Sequence, residues 1–415
     1  MNTDSSTDFP TRLCVEEAQQ RVRELCAARV LPAESIAIDT ALNRVLAQDV
    51  SVPFDLPPFA NSAMDGYALR GVDLPVQGER RFAMVGQILA GATHIPAVGE
   101  GECAQIMTGA PIPPGADTVV IKEHVRVDSG AVIIAAGEKA GANIRPPGED
   151  YRRGDLALRI GDRLTAARLG VLASCGLARM NVVRRPHVAL FVTGDELVPL
   201  GQALGTGQIH DSNRHSLAGL LQDAGAQLRL VAHLRDEPET LRRALHEAGE
   251  QCDLILSSGG VSAGEADFLP GLIAQLGRVH FWKVRMRPGM PILCGEIGRA
   301  LVFALPGNPV SSIATFLVFA RPALLALQGA NDAQRRNWRA RLAAPAVKQQ
   351  ERAEFLRATL ECRDDGALWA TPVRKQGSHM LRGVAEADAL IYLPESVREL
   401  EPGTVVDIVP LPGLF

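Results

Sequence analysis

Nowhere in this chain do two cysteines stand in a C-x-x-C spacing; the seven, at 14, 26, 103, 175, 252, 294 and 362, are scattered and odd in number. That argues against a disulfide framework or a structural zinc, and for a reducing cytoplasm. The nine histidines form no H-x-H or H-E-x-x-H pattern, which removes the zinc hydrolases. A Walker A lysine loop and a nucleophile-elbow serine are also missing. With a formal net charge of −4 the chain has no general attraction for nucleic acid or an anionic membrane, so any anion site must be local. No apolar run reaches the roughly 18–20 residues of a membrane span. The longest candidate, 313–327, is broken by Arg321 and Pro322. The first ten residues, MNTDSSTDFP, are polar and lack the apolar centre of a secretory signal.

At 415 residues the chain is too long for one ordinary core. Val15, Ala18, Val22 and Leu25 recur at helical spacing and predict an amphipathic helix within 14–30. A second short helix is expected over 40–48. From Val52 to about Gly154 short β-rich runs (FAMVGQIL, ADTVVIKEHV, AVIIAAG) alternate with Gly/Pro turns, which reads as an inserted, strand-dominated domain. Residues 164–175 are again helical, with Gly176 as C-cap. Over 186–327 strand and helix alternate. HVALFVT, LRLVAHL, DLILSS, VHFWKV and ALVFAL are the strands; the helices fall near 214–224, 237–249, 267–276 and 309–320. That order predicts a parallel sheet covered on both faces. GANDAQRRN (329–337) is a polar linker, and the remaining short strands with an Asp365-Gly366 turn suggest a small β-barrel.

The chemistry concentrates between Asp253 and Ser312, where three Gly/Pro-rich loops each follow an apolar run. Such loops open at the carboxyl ends of parallel strands, where open α/β sheets bind ligands. SSGGVSAGEAD (257–267) includes Ser258, Gly259 and Gly260 and points several N–H groups outward, as anion nests do. Asp267 ends it, either as an N-cap or as a magnesium ligand bridging substrate phosphates, and Asp236 at the preceding strand end could support the metal. VTGDEL (192–197) sets Asp195 and Glu196 beside a glycine, though acids at a helix start are also favoured by the dipole alone. IHDSNRHS (209–216) reads equally well as an Asx turn capping a helix. Lys283, Arg285 and Arg287 alternate along one predicted strand and so share a face, which could be a solvated face or a cation row leading into RPGMP. Pro306, Gly307 and Asn308 bend into a helix N-terminus, a position that suits anions. In the inserted domain, PPFANSAMDGYAL isolates Asp65 and IMTGAPIPPGAD isolates Thr108; a structural turn explains the glycines and prolines but not the lone polar side chains.

Nine segments in order carry a resemblance: PPFANSAMDGYA, MTGAPIPPGAD, GANIRPPGED, TGDEL, DSN, SGGVSAGEAD, RPGMP, LPGNPVSS and QGSH. Over residues 13–412 the chain resembles the molybdopterin molybdenumtransferase family, to which the gephyrin E domain also belongs. The resemblance implies an enzyme that takes adenylated molybdopterin and molybdate and, with Mg²⁺, releases AMP as molybdenum reaches the dithiolene sulfurs. By resemblance Asp65, Thr108, Arg145, Asp150, Glu196, Asp236, Asp267 and Lys283 match functional positions, and Arg357 and Ser378 match positions implicated in molybdate binding. Where the family pattern has lysines this chain has Arg287, which keeps the charge, and Met290, which loses it.

The same resemblance implies a cytoplasmic homodimer that shares its active sites and takes substrate from an upstream molybdopterin adenylyltransferase, with no nucleic acid or membrane partner. The implied fold is multidomain: a disordered tail (1–12), a three-layer α/β/α molybdopterin-binding core (13–30 and 184–328), a discontinuous connecting domain (31–51 and 155–183), an inserted β-rich domain (52–154) and a C-terminal β-barrel (329–415). The alternatives are a pterin adenylyltransferase-like enzyme, which would not need the inserted domain or the barrel, and a non-catalytic scaffold, which would tolerate loss of the acids.

Overall fold

Alternation with a period of two builds the centre of the molecule. The computed structural model describes residues 9–261, 268–333, 338–348 and 350–412. Along His187–Thr193, Leu254–Ser258 and Ala300–Leu305 successive side chains point to opposite faces, and both faces are apolar. Val188, Leu190, Leu254, Leu256, Leu301 and Phe303 enter one core with helices Val15–Cys26, Ser212–Asp223 and the run Pro309–Leu327. Ala189, Phe191, Ile255 and Val302 enter the other, against Pro238–Gln251 and Leu269–Leu276. The result is a three-layer α/β/α core.

Its seven strands run in the order Thr11–Leu13, Gly277–Val284, Leu293–Ile297, Ala300–Leu305, Leu254–Ser258, His187–Thr193, Gln227–Leu234. The sheet expected to be parallel is mixed. Leu293–Ile297 pairs antiparallel with both neighbours, forming a hairpin with Ala300–Leu305. Its tight connection at Gly298 leaves no room for a crossover helix. The tail also ends sooner than expected. Trp282 N donates to Pro10 O at 3.0 Å, and Thr11–Leu13 pairs in parallel with Gly277–Val284, so residues 10–12 belong to the sheet edge.

The apolar run expected to break at Arg321 and Pro322 continues to Leu327 as helix Pro309–Thr315, a π-helical turn Phe316–Ala320 and helix Arg321–Leu327. Pro322 removes one backbone donor, and the widened turn before it absorbs the mismatch. Among the described residues this run alone is long and apolar enough to cross a membrane, and it is packed inside the core.

The helix expected over 40–48 is absent. One 3₁₀ turn, Ile38–Thr40, is followed by Asn43 at φ 62°, and Val45 and Leu46 then bridge to Arg163 and Val182. Sheet pairing to distant residues overrides local helix propensity there. Ala41, Leu46, Leu158, Leu164, Leu172 and Val182 form a separate small core around helix Ala166–Ser174.

Residues 66–135 form a six-stranded sheet in the order Thr118–Ile121, Gly66–Leu69, Glu102–Ile106, Glu79–Ile88, Ala131–Ala135, Val125–Asp128. At the other end, Ala353–Cys362 pairs with both Leu368–Pro372 and Ala389–Leu393, and Trp338–Leu342 and Val405–Pro410 complete the ring. This is a closed five-stranded barrel. Met286–Arg287 leaves the core and adds to the barrel strand Ala353–Cys362 in parallel, which ties the two together.

Candidate active site

The carboxyl ends of the core strands converge on one cleft of about 740 Å³. Thr193 ends one strand, Ser258 a second and Leu305 a third; Gly194, Glu196, Asp211, Asn213, Asp236, Gly259, Gly260, Pro306, Gly307 and Asn308 line the opening between them. Gly259 sits at φ 98°, and a Cβ there would lie 2.7 Å from both Thr193 O and Thr193 Oγ1, so only glycine lets these two strand ends approach. Asn213 clamps the other side, its Nδ2 donating to Ser258 Oγ at 2.8 Å and to Gly307 O at 2.6 Å. Asp211 caps the helix that carries Asn213, accepting from Arg214 N at 3.0 Å. Thr193 Oγ1 and Asn213 Oδ1 are buried without a hydrogen-bond partner although both residues line the cleft. Buried polar atoms of that kind call for a ligand or water.

A second cavity of about 500 Å³ adjoins the first and shares Asn308, His379 and Pro291 with it. The RPGMP loop forms one wall; Arg352, Gln376, Gly377 and Ser378 from the barrel form the other. A Cβ at Gly289 (φ 106°) would meet Thr315 Cγ2 at 2.4 Å, so this loop is pressed directly onto the core helix. Lys283 and Arg287 line the cavity, but they do not share a strand face with Arg285 as alternation predicted. Lys283 has left-handed backbone geometry at φ 64°, its Nζ lies 4.0 Å from the centre of the Trp282 ring, and the core strand ends at Val284. Arg285 turns away to Glu395, with bonds of 2.9 and 3.0 Å. Arg287 faces the buried Glu354 at 3.6 Å.

Arg357 lies within the barrel, off the cavity wall. It is 1 % exposed and does not line the cavity. Its guanidinium donates to Met380 O at 2.9 Å, Lys375 O at 2.8 Å and Gln376 Oε1 at 3.3 Å, and burial lowers its pKa. It braces the loop that presents Ser378. The cation missed by sequence reasoning is Arg352, five residues earlier in the bend just before the same strand, whose Nη1 lies 3.1 Å from Met290 Sδ inside the cavity. Its place two residues before Glu354, at the entry to the barrel strand, was the available signal.

Asp65 and Thr108 meet on neighbouring strand ends of the inserted sheet. Asp65 Oδ1 accepts from Thr108 N at 2.9 Å and Thr108 Oγ1 at 2.8 Å, while Lys122 Nζ lies 3.4 Å from Oδ2. The Thr108 backbone N–H, then its hydroxyl, then Lys122 hold the Asp65 carboxyl below the usual aspartate range. Arg145 and Asp150 are exposed on the segment that follows this sheet. None of these four residues lines either cavity. Asp267 lies outside the described residues, and among the described residues no group of three metal-ligating side chains occurs. Asp236 and Glu196 remain as carboxylates on the cleft. Two carboxylates completed by substrate oxygens suit Mg²⁺, which needs no preformed cage.

Three family descriptions cover the chain in succession: MoeA N-terminal region (domain I and II) over residues 13–176, probable molybdopterin binding domain over 189–326, and MoeA C-terminal region (domain IV) over 339–411. A molybdopterin molybdenumtransferase of Haemophilus influenzae is 35% identical over 384 residues, 92% of this chain and 95% of that protein. A molybdopterin molybdenumtransferase 2 of Mycobacterium tuberculosis is 35% identical over 405 residues, 95% and 98% of the two chains. A crystal structure of the molybdopterin biosynthesis moeA protein of Pyrococcus horikoshii superposes with a TM-score of 0.82 at 26% identity, covering 96% of this chain and 100% of that one.

Proposed function

Because the chain belongs to the molybdopterin molybdenumtransferase family, whose members are transferases, we propose that it takes adenylated molybdopterin and molybdate and releases AMP as molybdenum is placed on the dithiolene sulfurs. The observation that carries this reading is the adjacency of two anion-suited cavities. One is lined by glycine-rich strand ends and unpartnered buried polar atoms, the other by Lys283, Arg287 and Arg352, and Asn308 and His379 belong to both.

In the first cavity the backbone N–H groups around Gly260 and Gly307 suit the pyrophosphate link, and Thr193 and Asn213 fix the substrate's polar groups. Asp236 and Glu196, with Asp267, would hold Mg²⁺, which when bound offsets charge on the phosphate oxygens and on AMP as it leaves. In the second, Arg352 and Arg287 offer paired donors to a tetrahedral dianion and Lys283 adds a point charge. Ser378 supplies a neutral donor. The left-handed backbone at Lys283 is a local strain that aims this side chain.

Asp65, Thr108, Arg145 and Asp150 share no cavity with the core loops, which supports a homodimer in which the inserted sheet of one subunit completes the cleft of the other. On this reading the core, connecting, inserted and barrel units are separate domains with the boundaries expected from sequence, save that the core begins at Pro10, and substrate comes from an upstream molybdopterin adenylyltransferase. Seven unpaired cysteines suit a cytoplasmic setting. The deciding assay is AMP release from adenylated molybdopterin, with and without molybdate and Mg²⁺. Release that needs both is expected; no release with both present would overturn the reading.

A further inference from the structure

We infer that a further anion site lies at the opposite end of the core sheet from the substrate cleft, where Arg185, Arg229 and His187 hold a phosphate group. A cavity of about 770 Å³ opens there, lined by Glu34, Arg44, Arg184, Arg185, His187 and Arg229. His187 begins the strand whose last residue, Thr193, lines the substrate cleft, so the two sites are about 20 Å apart at the rise of a strand.

The charges in this cavity do not balance. Arg184 spends both terminal nitrogens on Asp253, each at 2.7 Å. Arg44 is 6 % exposed and is matched by Glu34 and by Val183 O at 2.9 Å. Arg185 has only a carbonyl, Gly225 O at 3.2 Å, and Arg229 Nη2 lies 3.3 Å from His187 Nε2. Among the described residues neither Arg185 nor Arg229 has a carboxylate partner within ion-pair distance. A solvated arginine face would carry no penalty for this. Here burial, then the charge of Arg44, lowers the pKa of Arg185, and burial, then Arg229 and Arg184, lowers that of His187 against the opposing pull of Asp253. A partly buried guanidinium without a carboxylate, in one cavity with a second unpaired arginine, is stabilised by a dianion. Two guanidinium groups and a ring N–H are the donor set that a tetrahedral phosphate uses. The volume admits inorganic phosphate or the phosphate end of a small monoester.

The site also sits at a joint. Glu34 and Arg44 come from the small connecting unit, Arg184 and Arg185 from the link, and His187 and Arg229 from the core sheet. A bound phosphate would tie the link to the core sheet beside the connecting unit.

The test follows the His187 ring by NMR in the full-length protein, titrated with inorganic phosphate, with glycerol 3-phosphate, and with chloride at matched ionic strength. Either phosphate should raise the His187 midpoint saturably, because the dianion favours the imidazolium in a cavity whose other charged groups are Glu34, Arg44, Arg184, Arg185, Arg229, Asp253 and the nearby Arg299. The effect should weaken about tenfold in Arg185→Gln and in Arg229→Gln, the latter an exposed position that does not threaten folding. A response to glycerol 3-phosphate alone would identify a monoester site. The inference is overturned if chloride reproduces the shift, or if the Arg229→Gln protein responds like wild type. AMP release should be unchanged in Arg229→Gln, so this result stands or falls apart from the proposed transferase reaction.

Discussion

Two arginines, one just before a barrel strand and one within it, are placed differently at the cavity proposed for the oxyanion. Arg352 lines it, whereas Arg357 is buried and saturated with loop carbonyls. Arg352→Ala should raise the molybdate concentration for half-maximal AMP release about tenfold, the cost of one charge-assisted bond, with little change in stability. Arg357→Ala should instead destabilise by on the order of 3 kcal/mol in denaturant unfolding, since it strands several buried acceptors. Equal molybdate requirements in wild type and Arg352→Ala would refute the division. At Asp65 the folded carboxyl is depressed by Thr108 and Lys122, so that contact is present above the ordinary aspartate range and is lost as pH falls through the lowered value. Thr108→Val should move the Asp65 carboxyl midpoint upward in an NMR titration. An unmoved midpoint would mean that Thr108 is not what holds the charge.

At the level of elements, the link from the connecting unit into the core depends on one half-buried ion pair. Asp253 accepts two bonds from Arg184 and one from His187 N at 2.8 Å. Burial pushes its carboxyl up, but these partners outweigh it and the folded pKa is lowered. Its contribution is therefore present above the unfolded aspartate value and lost as pH falls through the folded one. Asp253→Ala should cost on the order of 3 kcal/mol at neutral pH, because Arg184 is left half-buried without its partner. Urea unfolding at neutral pH and again well below the usual aspartate range should show wild type and variant converging in acid. A gap that does not narrow would assign the loss to packing.

For the whole molecule, the separation of the Asp65–Thr108 pair from the core cavities sets the prediction. In a two-fold dimer with shared sites, mixing Asp65→Ala and Asp236→Ala proteins makes half of the exchanged dimers mixed, each with one intact site. AMP release should recover to about a quarter of the wild-type rate after subunit exchange. No recovery despite proven exchange, or full activity in a strict monomer, would place both residues in one subunit's site.

Glycine and proline placement made the strand-end loops legible in the chain itself, because only those residues permit the close approaches at Gly259 and Gly289. Periodicity likewise marked the core strands and the amphipathic helix Val15–Cys26. What it could not show is pairing between distant residues. The bridges of Val45 and Leu46 replaced an expected helix, and the antiparallel partner of Ala300–Leu305 turned a parallel sheet into a mixed one. Nor does the order of residues say which way a cation turns. Lys283 reaches the cavity and Arg285 leaves it because the chain passes there from the core sheet to the barrel, a junction that exists only once both have folded. Arg352 and Arg357 look equivalent as letters; the barrel leaves one on the cavity wall and buries the other as a brace.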